Sequence, residues 1–198
     1  MIITQMDSFG KDKLLITLDE EISFCLYQKE VHHLQLEPGA ELTDTLYQEI
    51  RKEILIPRAR KRTMYLLERM DRTEAQLREK LRQGRYPEDI IENAIAYVKG
   101  FHYVDDLRYA ESYVRCYSQS KSRRLLYQEL VGKGVPRDLI EQALEEEYET
   151  EDESAKIARW LEKKHYSAEE ADPKQRQRMY QFLLRKGFRS GDIRKVLN

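Results

Sequence analysis

The clustered arginines and lysines are the residues of this sequence best suited to binding a charged partner. The 198-residue chain carries 35 Lys and Arg against 36 Asp and Glu, for a formal net charge of −1. The bases are segregated: residues 58–85 hold ten bases and four acids, and residues 174–195 hold eight bases and one acid. Because guanidinium and ammonium groups pair with phosphates and carboxylates, these blocks indicate contact with a polyanion. Solvated helix faces explain the charge pattern equally well.

Ten bases are the candidate contact residues, because they recur on the predicted helical units described below, mostly on or beside the second helix. They are Arg78, Arg82, Arg85, Arg123, Arg124, Lys133, Arg185, Lys186, Arg189 and Arg194. Equivalent faces of successive units would align these side chains into one surface that meets DNA phosphates or an acidic protein. The segment 138–153, with nine acids and no base, argues against simple coating of nucleic acid.

The sequence contains no recognisable catalytic or metal-binding constellation. Its four histidines lack a His-x3-His or Cys-x2-Cys partner, its two cysteines are far apart, and no phosphate-binding glycine loop is present. Asp105 and Asp106 could suggest a metal or acid–base pair, but at a helix start they fit capping better. We therefore predict a protein that is not an enzyme and that needs neither a cofactor nor a metal.

A threefold helical repeat must position the candidate bases. Leucine, isoleucine and aromatic residues recur with identical spacing in three segments, 77–95, 126–144 and 179–197. A period near 50 residues, with three helices in each unit, is typical of an α-helical repeat protein whose neighbouring units share a core. We therefore expect the equivalent residues Leu81, Leu130 and Leu183 to be buried.

The segment 100–110, GFHYVDDLRYA, is predicted to join the first two units. Gly100 is expected to end one helix as a left-handed C-cap, and Asp105 or Asp106 to cap the next helix. Phe101, Tyr103 and Val104 are expected to fill the joint because they are apolar residues in a linker. Without further information, the segment is an ordinary helix–loop–helix corner.

The acidic N-terminal segment is predicted to be a small antiparallel meander. Its candidate strands are 2–6, 14–18 and 22–26, followed by a short helix or a continued strand over 28–34. A helix capped by Thr43 or Asp44 follows, and Pro57 is predicted to end or kink it.

The predicted fold is therefore mostly α: three tandem three-helix repeats in an elongated curved solenoid, after a small β-containing segment. The predicted divisions are an N-terminal extension at 1–56 and helical repeats at 57–104, 105–152 and 153–198. No apolar run approaches the length of about 20 residues that a membrane span needs.

Four features together resemble the RecX family of bacterial regulatory proteins over residues 58–198. Segment 100–110 is similar to the family's Gly-Tyr-Leu-Asp-Asp-x-x-Phe-Ala signature, and residues 73–81 match its Ser/Thr-x-x-x-Leu-x-x-x-Leu unit. The closing LLRKGF of residues 183–188 and the three-unit plan complete the resemblance. The sequence departs from the family pattern at Arg85, where the family prefers glycine, and at His102 and Val104.

This resemblance implies a regulator of the recombinase RecA. Such proteins are understood to lie along the groove of the RecA–DNA filament and to limit its extension, ATP hydrolysis, strand exchange and co-protease activity. The implied partners are the RecA filament and single- and double-stranded DNA, bound weakly or within the filament, by a cytoplasmic monomer with no membrane association. The alternative is a stand-alone DNA- or RNA-binding helical repeat protein.

Overall fold

The computed structural model describes residues 1–148 and 153–197. The chain divides into two compact units, residues 1–105 and 106–198. The chain is mostly helical after a small N-terminal sheet, which confirms the predicted fold class. In the part of the chain that is described, no helix is both long and apolar enough to cross a membrane.

The N-terminal sheet is the predicted antiparallel meander. Its strands, in the order β1-β2-β3, are β1 (Ile3–Phe9), β2 (Lys13–Leu18) and β3 (Ile22–Tyr27). The next segment, which the sequence left open, is the helix α1 (Gln28–His33). The Glu30 carboxylate accepts a 2.8 Å hydrogen bond from the Tyr27 N–H, which fixes the start of this helix.

Pro57 does not end the helical path, so that half of the prediction is wrong; the helix changes from α to π just before it. Helix α2 (Asp44–Glu49) continues through a π-helical stretch (Ile50–Leu55) directly into α3 (Ile56–Arg69). Proline lacks an N–H donor and clashes with the carbonyl four residues earlier in an α-helix. The chain nevertheless stays helical through the π turn that precedes Pro57.

The first repeat consists of α3, α4 (Glu74–Gln83) and α5 (Glu88–Gly100). Thr73 and Gln76 form a capping box: the Thr73 hydroxyl accepts the Gln76 N–H at 3.2 Å, and the Gln76 side chain accepts the Thr73 N–H at 3.3 Å. The sheet and this repeat share one hydrophobic core, which includes Phe24 and Leu81. The N-terminal segment is therefore packed as part of the first unit.

The second unit contains the other two repeats. Its helices are α6 (Asp106–Tyr117), α7 (Arg123–Gly132), α8 (Arg137–Glu147), α9 (Glu153–Lys163), α10 (Pro173–Arg185) and α11 (Ser190–Leu197). Leu81, Leu130 and Leu183 are all fully buried, as predicted. The predicted boundary at 152/153 falls beside residues outside the described ranges.

The linker differs from its prediction in two ways. Gly100 is the last residue of α5, and the left-handed backbone lies at His102, with φ of 55°. Phe101 and Tyr103 are 57% and 49% exposed, whereas Val104 is buried in the core of the first unit. The two aromatic rings instead stack on each other, with centroids 5.8 Å apart. Helix α6 begins at Asp106, where the sequence predicted a helix start.

Candidate functional site

Two of the three candidate bases in the first repeat are held in internal ion pairs. Arg78 lies 2.7 Å from Glu74 and also pairs with Glu92, and its side chain is only 20% exposed. The hydrogen bond that Arg78 donates to Glu92 is the largest cause that raises the pKa of Arg78. Arg82 pairs with Glu88 at 2.6 Å. These guanidinium groups therefore join α4 to α5 and are largely neutralised.

Arg85 is exposed and occupies a left-handed backbone position, with φ of 58°. Gly134 and Gly187 hold the same place in the later repeats, with φ of 79° and 87°. The turn geometry is thus kept even where the sequence replaces glycine by arginine, at some cost in backbone strain.

The second unit brings together bases from its two repeats. Arg123 and Arg124, at the start of α7, share a cleft of about 650 Å³ with Arg189, which directly precedes α11. The three guanidinium side chains are exposed and, among the described residues, none has a carboxylate within ion-pair distance. Carboxylates also line this cleft, so it is a surface of mixed charge. They are Glu141, Glu145, Glu153 and Asp192. Burial raises the pKa of Glu153, and the nearby Asp192 raises it further.

Lys186 and Gly187 contribute to the contact between the second and third repeats. The Lys186 carbonyl accepts a 3.0 Å hydrogen bond from the N–H of Ser122, the N-cap of α7. A Cβ atom at Gly187 would collide with Ser122 Oγ and Leu125 Cβ. The Lys186 ammonium lies 4.7 Å from the Trp160 ring centroid. Lys186 is half-buried. Its neighbour in the chain, Arg185, is exposed, and so is Arg194.

The Lys133 side chain lies beside a cluster of tyrosines on α6. Its ammonium lies 5.0 Å from the centroid of the Tyr113 ring, which packs on Tyr117 with centroids 4.6 Å apart. The Tyr113 hydroxyl donates to Glu129 at 2.9 Å, and Glu129 also pairs with Lys121 at 2.7 Å. Burial, followed by the hydrogen bond to Glu129, raises the pKa of Tyr113. The surroundings of Lys133 thus include a carboxylate and are not purely basic.

The sequence-based candidates omit a second group of bases in the first unit. Lys61 and Arg62 on α3 and Lys80 on α4 line a basic groove together with Lys13 of β2. The sequence signal was present, because these residues belong to the basic block at 58–85 or lie in the adjoining sheet. Only the packing of the sheet on the repeat reveals that they face the same space. No cluster of metal-binding side chains occurs within the described residues.

Each of the three helical repeats matches a model of a known protein family. Family models described as the first, second and third three-helix domains of RecX match residues 59–97, 105–144 and 151–197, respectively.

Similar full-length proteins and solved structures carry the same name. The chain is 33% identical to "Regulatory protein RecX" of Caldanaerobacter subterraneus subsp. tengcongensis, over 100% of this chain and 99% of that protein. The crystal structure of RecX from Lactobacillus salivarius is 26% identical with a TM-score of 0.59, over 72% of this chain and 94% of that one. Another crystal structure of regulatory protein RecX is 24% identical, covers 98% of both chains and has a TM-score of 0.59, which supports the fold.

Proposed function

Because the chain belongs to the RecX family of non-enzymatic regulatory proteins, we propose that it binds the RecA–DNA filament and inhibits RecA. The inhibited activities are filament extension, ATP hydrolysis, strand exchange and co-protease activity, so that the protein tunes recombination and the SOS response. In this proposal it acts in the cytoplasm as a monomer that engages several filament subunits at once. Several weak contacts along one modular chain give tight overall binding.

One observation supports the contact surface of this proposal: five exposed arginines of the second unit have no ion-pair partner among the described residues. Arg123, Arg124, Arg185, Arg189 and Arg194 are exposed, and no carboxylate of the described chain lies within ion-pair distance of them. Their charges are available to phosphates or to acidic side chains of the filament. By contrast, Arg78 and Arg82 are already paired, so we assign them a structural role and leave them out of the proposed surface.

The test is the rate of DNA-dependent ATP hydrolysis by RecA as this protein is titrated in. We expect the rate to fall to a plateau, and Arg185→Glu/Arg189→Glu to require more protein for the same effect. Lys29→Glu/Lys52→Glu is a matched control, because it makes the same charge change at exposed residues outside the proposed surface. An unchanged rate at saturating, folded wild-type protein would contradict the proposal.

The alternative function, stand-alone DNA or RNA binding, is supported by the unpaired bases alone. A pull-down with RecA, with and without DNA, separates the two functions. The RecA regulator should be retained with RecA–DNA filaments more strongly than with the DNA alone. A stand-alone nucleic-acid-binding protein should be retained equally well in both cases.

A further inference from the structure

A second basic surface lies in the first unit, between the N-terminal sheet and the first repeat. It is a groove of about 650 Å³, to which β2, β3, α3 and α4 all contribute lining residues. The groove therefore exists only because the sheet packs on the repeat. At its edge, Gly84, the C-cap of α4, leaves space for the Tyr86 ring, whose Cε2 lies 2.9 Å from the point where a Cβ of residue 84 would stand.

Five cations and no acid line this groove. They are Lys13, Arg58, Lys61, Arg62 and Lys80. Arg58 pairs with Glu30 of α1, but no described carboxylate lies within ion-pair distance of the other four. Four positive charges thus remain uncompensated in one groove, although the chain as a whole carries a net charge of −1. Such a local excess attracts a polyanion.

Tyrosine rings are interleaved with these cations. Tyr27 and Tyr65 are each 42% exposed, which is high for large aromatic side chains. The Lys13 ammonium lies 5.0 Å from the Tyr27 ring centroid, and the Arg62 guanidinium lies 5.6 Å from that of Tyr65. A chain of phosphates bound by the cations would therefore carry its attached groups past exposed aromatic rings.

We propose that this groove binds a single-stranded nucleic acid. Lys61, Arg62 and Lys80 contact the phosphates, and the rings of Tyr27 and Tyr65 stack with bases, which is the combination that sequence-tolerant single-strand binders use. A duplex fits less well because its bases already stack on one another and cannot reach the tyrosines. The proposal gives the N-terminal sheet a function, since Lys13 and Tyr27 belong to it. It does not depend on the proposed action on RecA.

The first test measures binding of the full chain, without RecA, to a fluorescein-labelled oligothymidylate about 20 nucleotides long, by anisotropy over a series of salt concentrations. We expect Lys61→Glu/Arg62→Glu to weaken binding about tenfold and to flatten the log–log salt dependence by about 0.7 for each phosphate that the variant no longer neutralises. The matched control is Lys29→Glu/Lys52→Glu, which makes the same charge change in the same unit but outside the groove. Equal affinities of these two variants, or no binding by the wild type at low salt, would overturn the proposal.

The second test examines the tyrosines and the strandedness of the ligand. Tyr65→Ala should weaken binding about tenfold, whereas Tyr65→Phe, which keeps the ring, should bind like the wild type. The single-strand assignment would be overturned if Tyr65→Ala bound with wild-type affinity and the wild type bound duplex as tightly as single strand. A polyglutamate peptide that binds more tightly than the oligothymidylate would assign the groove to an acidic protein segment instead.

A third measurement needs no variant. Acetylation of the wild-type protein, read by mass spectrometry, should show that the oligothymidylate protects Lys61 and Lys80 from reagent, whereas Lys52 stays reactive because it is 83% exposed and outside the groove. Equal reactivity of these lysines with and without oligothymidylate would contradict the proposed site. Because RecA is absent from all three tests, their failure would leave the proposed regulatory function intact.

Discussion

At the scale of single residues, Gly187 has two separate reasons to be glycine. Its φ of 87° lies in the left-handed region, and its Cα approaches the N-cap of α7 so closely that a Cβ would collide with Ser122 and Leu125. Gly134, at the equivalent place in the second repeat, shares the first reason, with φ of 79°. The second reason depends on how the third repeat docks on the second, which spacing alone does not give.

We therefore expect Gly187→Ala to destabilise the protein by about 1–3 kcal/mol, through backbone strain and displacement of the start of α7. The measurement is the free energy of unfolding from urea titration, followed by far-ultraviolet circular dichroism. Gly191→Ala is the control, because Gly191 lies in α11 with no atom near its would-be Cβ and without a positive φ. The control should be neutral or stabilise slightly, by up to about 1 kcal/mol, since alanine favours helix. Equal stability of the two variants would contradict the assigned role of Gly187.

Lys156 shows what sequence patterns at single residues cannot reveal. Its side chain is completely buried, with the ammonium 3.6 Å from the centroid of the Tyr148 ring. Lysine is almost never fully buried, so the residue type alone would place Lys156 at the surface. The cation–π contact that stabilises this one forms between α9 and the residue that ends α8, so only the tertiary structure identifies it.

At the scale of elements, an ion-pair network joins the helices of the first repeat. Arg78 of α4 bridges Glu74 of its own helix and Glu92 of α5, and Lys99 pairs with Glu74 at 2.7 Å. Burial by itself would raise the pKa of Glu74, but the hydrogen bonds from Lys99 and Arg78 outweigh it and hold the pKa below its ordinary value of 4.5. The network therefore stabilises the packing of α4 on α5 only while Glu74 is ionised.

This network predicts a specific pH dependence of stability. A carboxyl group whose pKa is lower in the folded than in the unfolded state stabilises the fold above its unfolded pKa, and this stabilisation disappears as the pH falls through the folded pKa. Glu74→Gln should lower the free energy of unfolding by about 1–3 kcal/mol at neutral pH. It should also have a smaller effect as the pH falls below 4.5. Urea titrations across this pH range give the measurement.

Glu53→Gln is the matched control for Glu74→Gln. Glu53 is exposed and its pairing with Lys52, at 3.8 Å, is a surface contact. Such contacts contribute at most about 1 kcal/mol. If the two variants were equally destabilised at neutral pH, or if the effect of Glu74→Gln did not change with pH, the network would not be what stabilises the packing of α4 on α5.

The repeated leucines allow a second prediction at this scale. Leu130→Ala and Leu183→Ala should each lower the free energy of unfolding by about 2–5 kcal/mol, because each leaves a cavity in the core of its repeat. Val131 follows Leu130 in the chain but is 40% exposed, so Val131→Ala should have a much smaller effect. An effect of Leu183→Ala no larger than that of Val131→Ala would contradict the equivalence of the third repeat.

The elements themselves were largely predictable, for physical reasons. Alternating apolar residues in the meander and the threefold spacing of the helices reflect which faces are buried, so strands, helices and core followed from them. The π-helical stretch before Pro57 left no such pattern, because proline normally signals a helix end. Likewise, Phe101 and Tyr103 have the composition of buried linker residues, yet their exposure depends on the path of the chain after α5.

At the scale of the whole molecule, the sequence revealed where basic residues accumulate but not which of them are neutralised. Arg82 and Arg124 follow similar sequence patterns, yet Arg82 has a carboxylate 2.6 Å away and Arg124 has none among the described residues. Pairing of this kind depends on the neighbouring helix. It shifts the proposed filament contact away from α4 and toward the second unit.

The final prediction concerns this contact. Arg123→Glu/Arg124→Glu should weaken binding to RecA–DNA filaments, because two exposed cations at the start of α7 are replaced by anions that lie close to Glu141 and Glu145 in the same cleft. If the two arginines contact phosphates, the salt slope of binding should fall by about one for each contact. If they contact acidic side chains of RecA, affinity should fall while the slope responds less regularly.

Lys29→Glu/Lys52→Glu again supplies the matched charge change outside the proposed contact, and circular dichroism should show that both variants are folded. Arg78→Gln/Arg82→Gln tests the alternative face in the first repeat. Because those arginines are already paired with Glu74 and Glu88, this variant should lose stability rather than filament affinity. Two results together would move the contact back to the first repeat. Arg123→Glu/Arg124→Glu would keep the wild-type affinity and salt slope, and a folded Arg78→Gln/Arg82→Gln protein would bind filaments more weakly.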